Sequence, residues 1–124
     1  IRRRAGDETH PFLMAKQFME KQYMDNISLE QVASIAGFSP NYFSSQFKQE
    51  TGMGFQDYLT MLRINRAKEL LRGTPDSVSA IASALGFLDV SYFVKLFKRF
   101  EGVTPLTYRK LKRSSSAAPP VGKI

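Results

Sequence analysis

At 124 residues, 43% of them hydrophobic and 12% aromatic, the chain suffices for one folded domain or two very small ones. It has no cysteine, which excludes disulfides, thiolate metal sites and thiol catalysis. Its formal charge of +7 indicates an anionic partner, nucleic acid before an acidic protein or membrane surface, unless it serves solubility alone.

That charge is uneven. Residues 1–62 hold six basic and seven acidic side chains, net −1, whereas residues 63–124 hold twelve and four, net +8. An anion should therefore engage the second half more strongly. No apolar run approaches the roughly 20 residues of a membrane span and no signal peptide is visible, so a cytoplasmic protein without membrane contact is expected.

Residues 1–11, IRRRAGDETHP, read as a linker or tail, and the single histidine, His10, as a solvated residue within it. From Phe12 to Asp25, Ala15, Phe18, Met19 and Tyr23 recur at helical spacing opposite Lys16, Glu20 and Lys21. Ser28 and Gln31 fit a capping box for a short helix that stops at Gly37. Ser39 and Pro40 open the next helix as N-cap and first residue, and Phe43 and Phe47 form its buried face up to Gly52.

The grammar then repeats about fifty residues on. GFSPNYFSSQFKQETG (37–52) returns as GFLDVSYFVKLFKRFEG (86–102), with one extra residue before the Tyr-Phe pair. Ser77 caps a short helix ended by Gly86, with Ala80 where a capping box would hold Glu or Gln. Asp89 caps the helix of Phe93 and Phe97, and Thr104-Pro105 opens a last helix through Leu111. SSSAAPPVGKI, residues 114–124, reads as a disordered low-complexity tail.

Between the copies, residues 55–72 form a helix of about 27 Å at 1.5 Å per residue. Phe55, Tyr58, Leu59 and Leu62 share one face; Ile64, Ala67 and Leu71 lie about 160° around from it. Such a helix serves either two cores, one at each end, or one core with a broad stripe. The expected fold is all-α: two tandem helix-turn-helix subdomains, residues 12–54 and 73–113, on a shared linker helix, about seven helices in total.

The outward faces of the two second helices carry the functional signal. Asn41, Ser44, Ser45 and Lys48 lie on the first, and Ser91, Val94, Lys95 and Lys98 on the second, without a carboxylate. A plain solvated face would mix Glu with Lys. Short polar side chains let a helix enter the major groove, where Asn pairs with adenine, Lys reaches guanine and Val touches a thymine methyl.

The stretch GF-x-D-x-SYF-x-K-x-FKR-x-x-G-x-TP-x-x-YR, from Gly86 to Arg109, resembles the DNA-binding domain of the AraC/XylS family of bacterial transcription regulators. SLEQVA…GFSPNYFSSQFKQETG and LRINRAKELL extend the resemblance over residues 12–113. The resemblance implies a seven-helix, two-lobed domain whose recognition helices enter successive major grooves of double-stranded DNA. It assigns base contacts to Asn41, Ser44, Ser45, Val90, Ser91, Val94 and Lys95. The two serines, where relatives often carry larger polar groups, imply modest or water-mediated readout by the first lobe.

Lys48, Lys98, Arg99, Arg109 and Lys110 are expected on the DNA backbone. The resemblance further implies a regulator, an activator by analogy, and a fragment of a longer protein that meets RNA polymerase. The isolated domain is expected to be monomeric, and no cofactor, metal or catalytic residue is expected. Two other classes compete. An enzyme appendage, such as an alkyl-transfer repair protein, lacks its cysteine acceptor here. A helical protein-interaction module would need exposed aromatic and Leu anchors on these faces, where Ser and Lys stand instead.

Overall fold

A computed structural model describes the backbone of residues 5–117 and the side chains of residues 11–112. The described residues form seven helices and no strand. They are α1 (Ala5–Gln22), α2 (Leu29–Ala36), α3 (Pro40–Thr51), α4 (Phe55–Gly73), α5 (Val78–Ala84), α6 (Val90–Glu101) and α7 (Pro105–Ala117). The all-α expectation holds. The chain divides into two compact units, residues 1–62 and 63–124, and the division falls inside α4. It coincides with the change in charge, net −1 before it and net +8 after it.

The first unit packs around an aromatic column. Phe12 lies 5.8 Å from Phe43, Phe43 5.3 Å from Phe47, and Tyr58 meets Phe47 edge-on at 5.2 Å. Met19, Val32, Ala33, Phe55 and Leu59 complete that core. The second unit has a similar column, begun by the phenylalanine after its turn glycine: Phe87, Phe93, Phe97 and Tyr108 at successive centroid distances of 5.0, 5.9 and 5.5 Å. Phe43, Phe47, Phe93 and Phe97 are wholly buried, so truncating any one to Ala should cost about 3–5 kcal/mol.

The repeat runs further than the turn and its helices. Phe12, Ala15 and Met19 are buried in α1 at the same spacing as Ile64, Ala67 and Leu71 in α4. Tyr58 in α4 stands to Phe47 as Tyr108 in α7 stands to Phe97. Each unit is therefore four helical segments long. The first half of α4 closes one, and its second half opens the other. This accounts for the rotation of the apolar stripe: Phe55, Tyr58 and Leu59 join the first core, whereas Ile64, Ala67 and Leu71 are buried in the second unit.

Local chemistry sets the helix ends. Ser28 and Gln31 form the reciprocal capping box, with bonds of 3.1 and 2.8 Å. At α5 only the Ser77 half exists, Ala80 N–H to Ser77 Oγ at 3.0 Å. Gly37 and Gly86 turn the chain at φ of 80° and 91°, the left-handed region that a side chain resists. The next amide then closes each turn, Phe38 to the Ala33 carbonyl at 2.9 Å and Phe87 to that of Ala82 at 3.0 Å. The extra residue of the second copy is Leu88, whose side chain is fully exposed in the turn.

Both expected tails need correction. Residues 5–11 belong to α1, with Pro11 inside the helix. Pro11 removes one hydrogen bond from the helix without ending it. At the other end α7 runs on to Ala117, because nothing in Ser114–Ala117 forbids a helix. The first residue disfavoured from α is Ala118, by the proline after it. The remainder of both tails, and the His10 side chain, lie outside the described residues.

Candidate nucleic-acid interface

Helix α3 is positioned by its caps and its core face. The Ser39 hydroxyl accepts from the Tyr42 amide at 3.3 Å, Pro40 follows as first residue, and Phe43 and Phe47 pin the helix inward. That leaves Asn41, Ser45 and Lys48 exposed on the far side, with Ser44 half-buried beside them. Beyond Gly52, the Thr51 hydroxyl bonds the Phe47 carbonyl at 2.8 Å and receives the Met53 amide at 3.1 Å, fixing the exit into α4.

Helix α6 repeats the arrangement with more charge. The Asp89 carboxylate accepts from the Ser91 amide at 3.0 Å, and Phe93, Leu96 and Phe97 face the core. Val90, Ser91, Lys95, Lys98 and Arg99 are exposed. The Arg99 guanidinium lies over the Phe100 ring at 5.4 Å. Among the described residues Lys48, Lys95, Lys98 and Lys110 form no ion pair, so their charge faces solvent. The one acid at the end of α6, Glu101, is held by Lys68 of α4 at 3.3 Å.

Two expected site residues are placed otherwise than on an open face. Val94 is half-buried in a groove with Val78, Thr104, Pro105 and Leu106. Arg109 is engaged within its own unit. Its Nε donates to the Leu71 carbonyl at 3.0 Å and its Nη2 to the Thr74 carbonyl at 3.0 Å. Those carbonyls sit at the C-terminal end of α4, where intrahelical partners run out. The guanidinium expected on phosphate thus uses two of its five N–H donors to close a helix.

Other polar anchors had no obvious motif. Arg72 Nη1 donates to the Tyr108 hydroxyl at 2.7 Å, and Arg63 lies over the Phe87 ring at 5.4 Å. Burial pushes the Arg63 guanidinium below its ordinary range. In the first unit the Tyr58 hydroxyl donates to Glu20, and burial, then the Glu20 charge, push its phenol up. The signal was there: Glu20 follows Met19 as Arg72 follows Leu71, so the two tyrosines hold equivalent anchors.

The helix-turn-helix domain family, of the AraC type, matches residues 32–111, more than half of the chain. The chain belongs to that family. Regulatory protein PocR of Salmonella typhimurium is 37% identical over 116 residues, 92% of this chain and 38% of that protein. An AraC-type regulator structure from Chromobacterium violaceum has a TM-score of 0.80 at 28% identity, covering 94% of this chain and 99% of its own. The DNA-binding domain of AdpA, solved with a target DNA, has a TM-score of 0.81 over 87% of this chain and 97% of that one. At 24% identity that likeness is one of fold. The AraC-type family supplies the DNA-binding domains of transcription regulators, and α2–α3 and α5–α6 are this chain's two helix-turn-helix pairs.

Proposed function

We propose that this AraC-type domain binds double-stranded DNA sequence-specifically, with α3 and α6 as recognition helices in successive major grooves. The observation that carries the reading is the pair of capped helices whose outward faces hold Asn, Ser, Val and Lys but no carboxylate. Asn41, Ser44 and Ser45 read bases in one groove, and Val90, Ser91, Val94 and Lys95 in the other. Lys48, Lys98, Arg99 and Lys110 meet phosphates. The domain acts as a monomer within a longer cytoplasmic regulator, an activator that contacts RNA polymerase. Alkyl transfer to a cysteine is not among its activities, since the chain holds no thiol.

Selection from randomised duplexes followed by footprinting tests this. Two specified segments should emerge, about 10–10.5 base pairs apart on one face of the duplex. Inserting about five base pairs between them should abolish specific contacts of one unit. A single segment, or full protection of both after the insertion, would overturn the tandem reading.

A second reading, a protein-interaction module, draws on the exposed Leu88, Leu106 and Leu111. It predicts no salt-dependent affinity for random DNA, which a titration decides.

A further inference from the structure

The outward face of α6 is polar except at exposed Val90, its first residue, and at Val94, which is half-buried beside exposed Ser91, Lys95 and Lys98. It is half-buried because two other helices begin beside it. Val78 is the first residue of α5, and Thr104, Pro105 and Leu106 form the start of α7; with Val94 they line one groove of about 240 Å³. Pro105 is buried, fixing the floor, whereas Leu106 is 59% exposed at the rim. An apolar slot thus opens on a helix face otherwise built for an anion.

We propose that this slot reads the 5-methyl group of a pyrimidine, in thymine or in 5-methylcytosine. The inference rests on the DNA-binding reading above and assigns chemistry to one point within it. The flanking lysines and the absence of carboxylate on this face select a polyanion as the occupant. On the major-groove edge of DNA the pyrimidine 5-methyl is the apolar group on offer. The first unit provides an internal contrast. At the equivalent places of the repeat it carries Leu29, Ser44 and Gln56, so a hydroxyl and an amide replace two of the apolar groups. The second unit therefore discriminates methyl from hydrogen at one base, and the first does not.

Deoxyuridine tests this, because it removes the methyl and leaves the pairing edge intact. With the whole chain bound to its selected duplex, each thymine is replaced in turn by deoxyuridine. One replacement in the segment protected by α6 should weaken binding about fourfold, as expected for one buried methyl-sized group. Replacements in the segment protected by α3 should have no effect. Placing cytosine at the sensitive position and then 5-methylcytosine should restore most of that factor. Val94→Thr keeps the branched shape but replaces one methyl with a hydroxyl, and should bind methylated and unmethylated probes alike. A flat deoxyuridine series under α6, as would follow if a polypeptide covered the groove instead, overturns the proposal. So does a methyl effect that persists undiminished in V94T. Either result leaves footprinted binding intact, whereas failure of the underlying reading would show as no specific footprint at all.

Discussion

The Tyr108 hydroxyl accepts a hydrogen bond from Arg72 at 2.7 Å, whereas its counterpart Tyr58 donates one to Glu20. The same phenol, edge-on to the same phenylalanine of the repeat, is anchored by opposite charges in the two units. A hydroxyl can serve either partner because it both donates and accepts. Replacing the acid by the base at this one place moves the second unit toward positive charge without disturbing its core.

That difference gives the first unit an alkaline weakness. The Tyr58 phenol is raised above its ordinary value of 10.0 in the folded state. A group so raised contributes stability that is fully present below its unfolded pKa and is lost as pH rises through the folded one. Thermal stability should therefore fall above about pH 10. Tyr58→Phe should remove Tyr58's part of that fall, and Glu20→Gln should reduce it; Tm measured between pH 8 and 11.5 or so is the check.

Arg109→Ala should act on folding and not on phosphate contacts. It deletes two charge-assisted bonds, to the carbonyls of Leu71 and Thr74. The expected loss is about 2–4 kcal/mol, since hydrogen bonds to charged groups contribute roughly 1.5–3 kcal/mol each and the site is only partly buried. Urea denaturation measures the loss. The log–log salt dependence of DNA binding, taken where the variant remains folded, should keep its slope. A flattening by about 0.9 would restore Arg109 to the phosphate set.

Lys98→Ala is the converse case. Lys98 is exposed near the end of α6 and should contact phosphate, so its loss should weaken selected and random duplexes by similar factors. The salt slope should flatten by about 0.9. A loss confined to the selected site would make Lys98 a base reader.

Lys95 lies at the centre of the same face. Lys95→Ala should cost about 1–3 kcal/mol on the selected duplex and relax preference at one or two neighbouring positions. Repeating the randomised selection with the variant reads this directly, and an unchanged consensus would remove Lys95 from the base-reading set.

Ala80→Gln should stabilise the second unit. Ser77 already accepts from the Ala80 amide, and Ala80 is exposed, so a glutamine there can reach back to the Ser77 amide. The equivalent bond from Ser28 to Gln31 is 2.8 Å long in the first unit. A gain of about 0.5–1 kcal/mol in denaturant titrations is expected.

Whatever is local along the chain can be read from the order of its residues. The caps at Ser28, Ser39, Ser77 and Asp89, the glycine turns and the buried phenylalanine pairs depend on neighbours within one helical turn, so spacing alone reveals them. Composition exposed the charge division, and the repeat made two similar units legible. The paths of the long side chains depend instead on contacts between distant segments. Arg109 and Arg72 find partners 38 and 36 residues away, and a flexible arginine stem can point to solvent or fold back onto a carbonyl with no change in local pattern. Pro11 and the serine run were misleading for a related reason: each is compatible with a helix and merely disfavours it, so context outweighs propensity. Val94 shows the same limit at the interface. Its place on the outward face follows from a period of 3.6, but its half-burial follows from the starts of α5 and α7, which line one groove with it. No single helix encodes that meeting, because it exists only once three successive helices share one core.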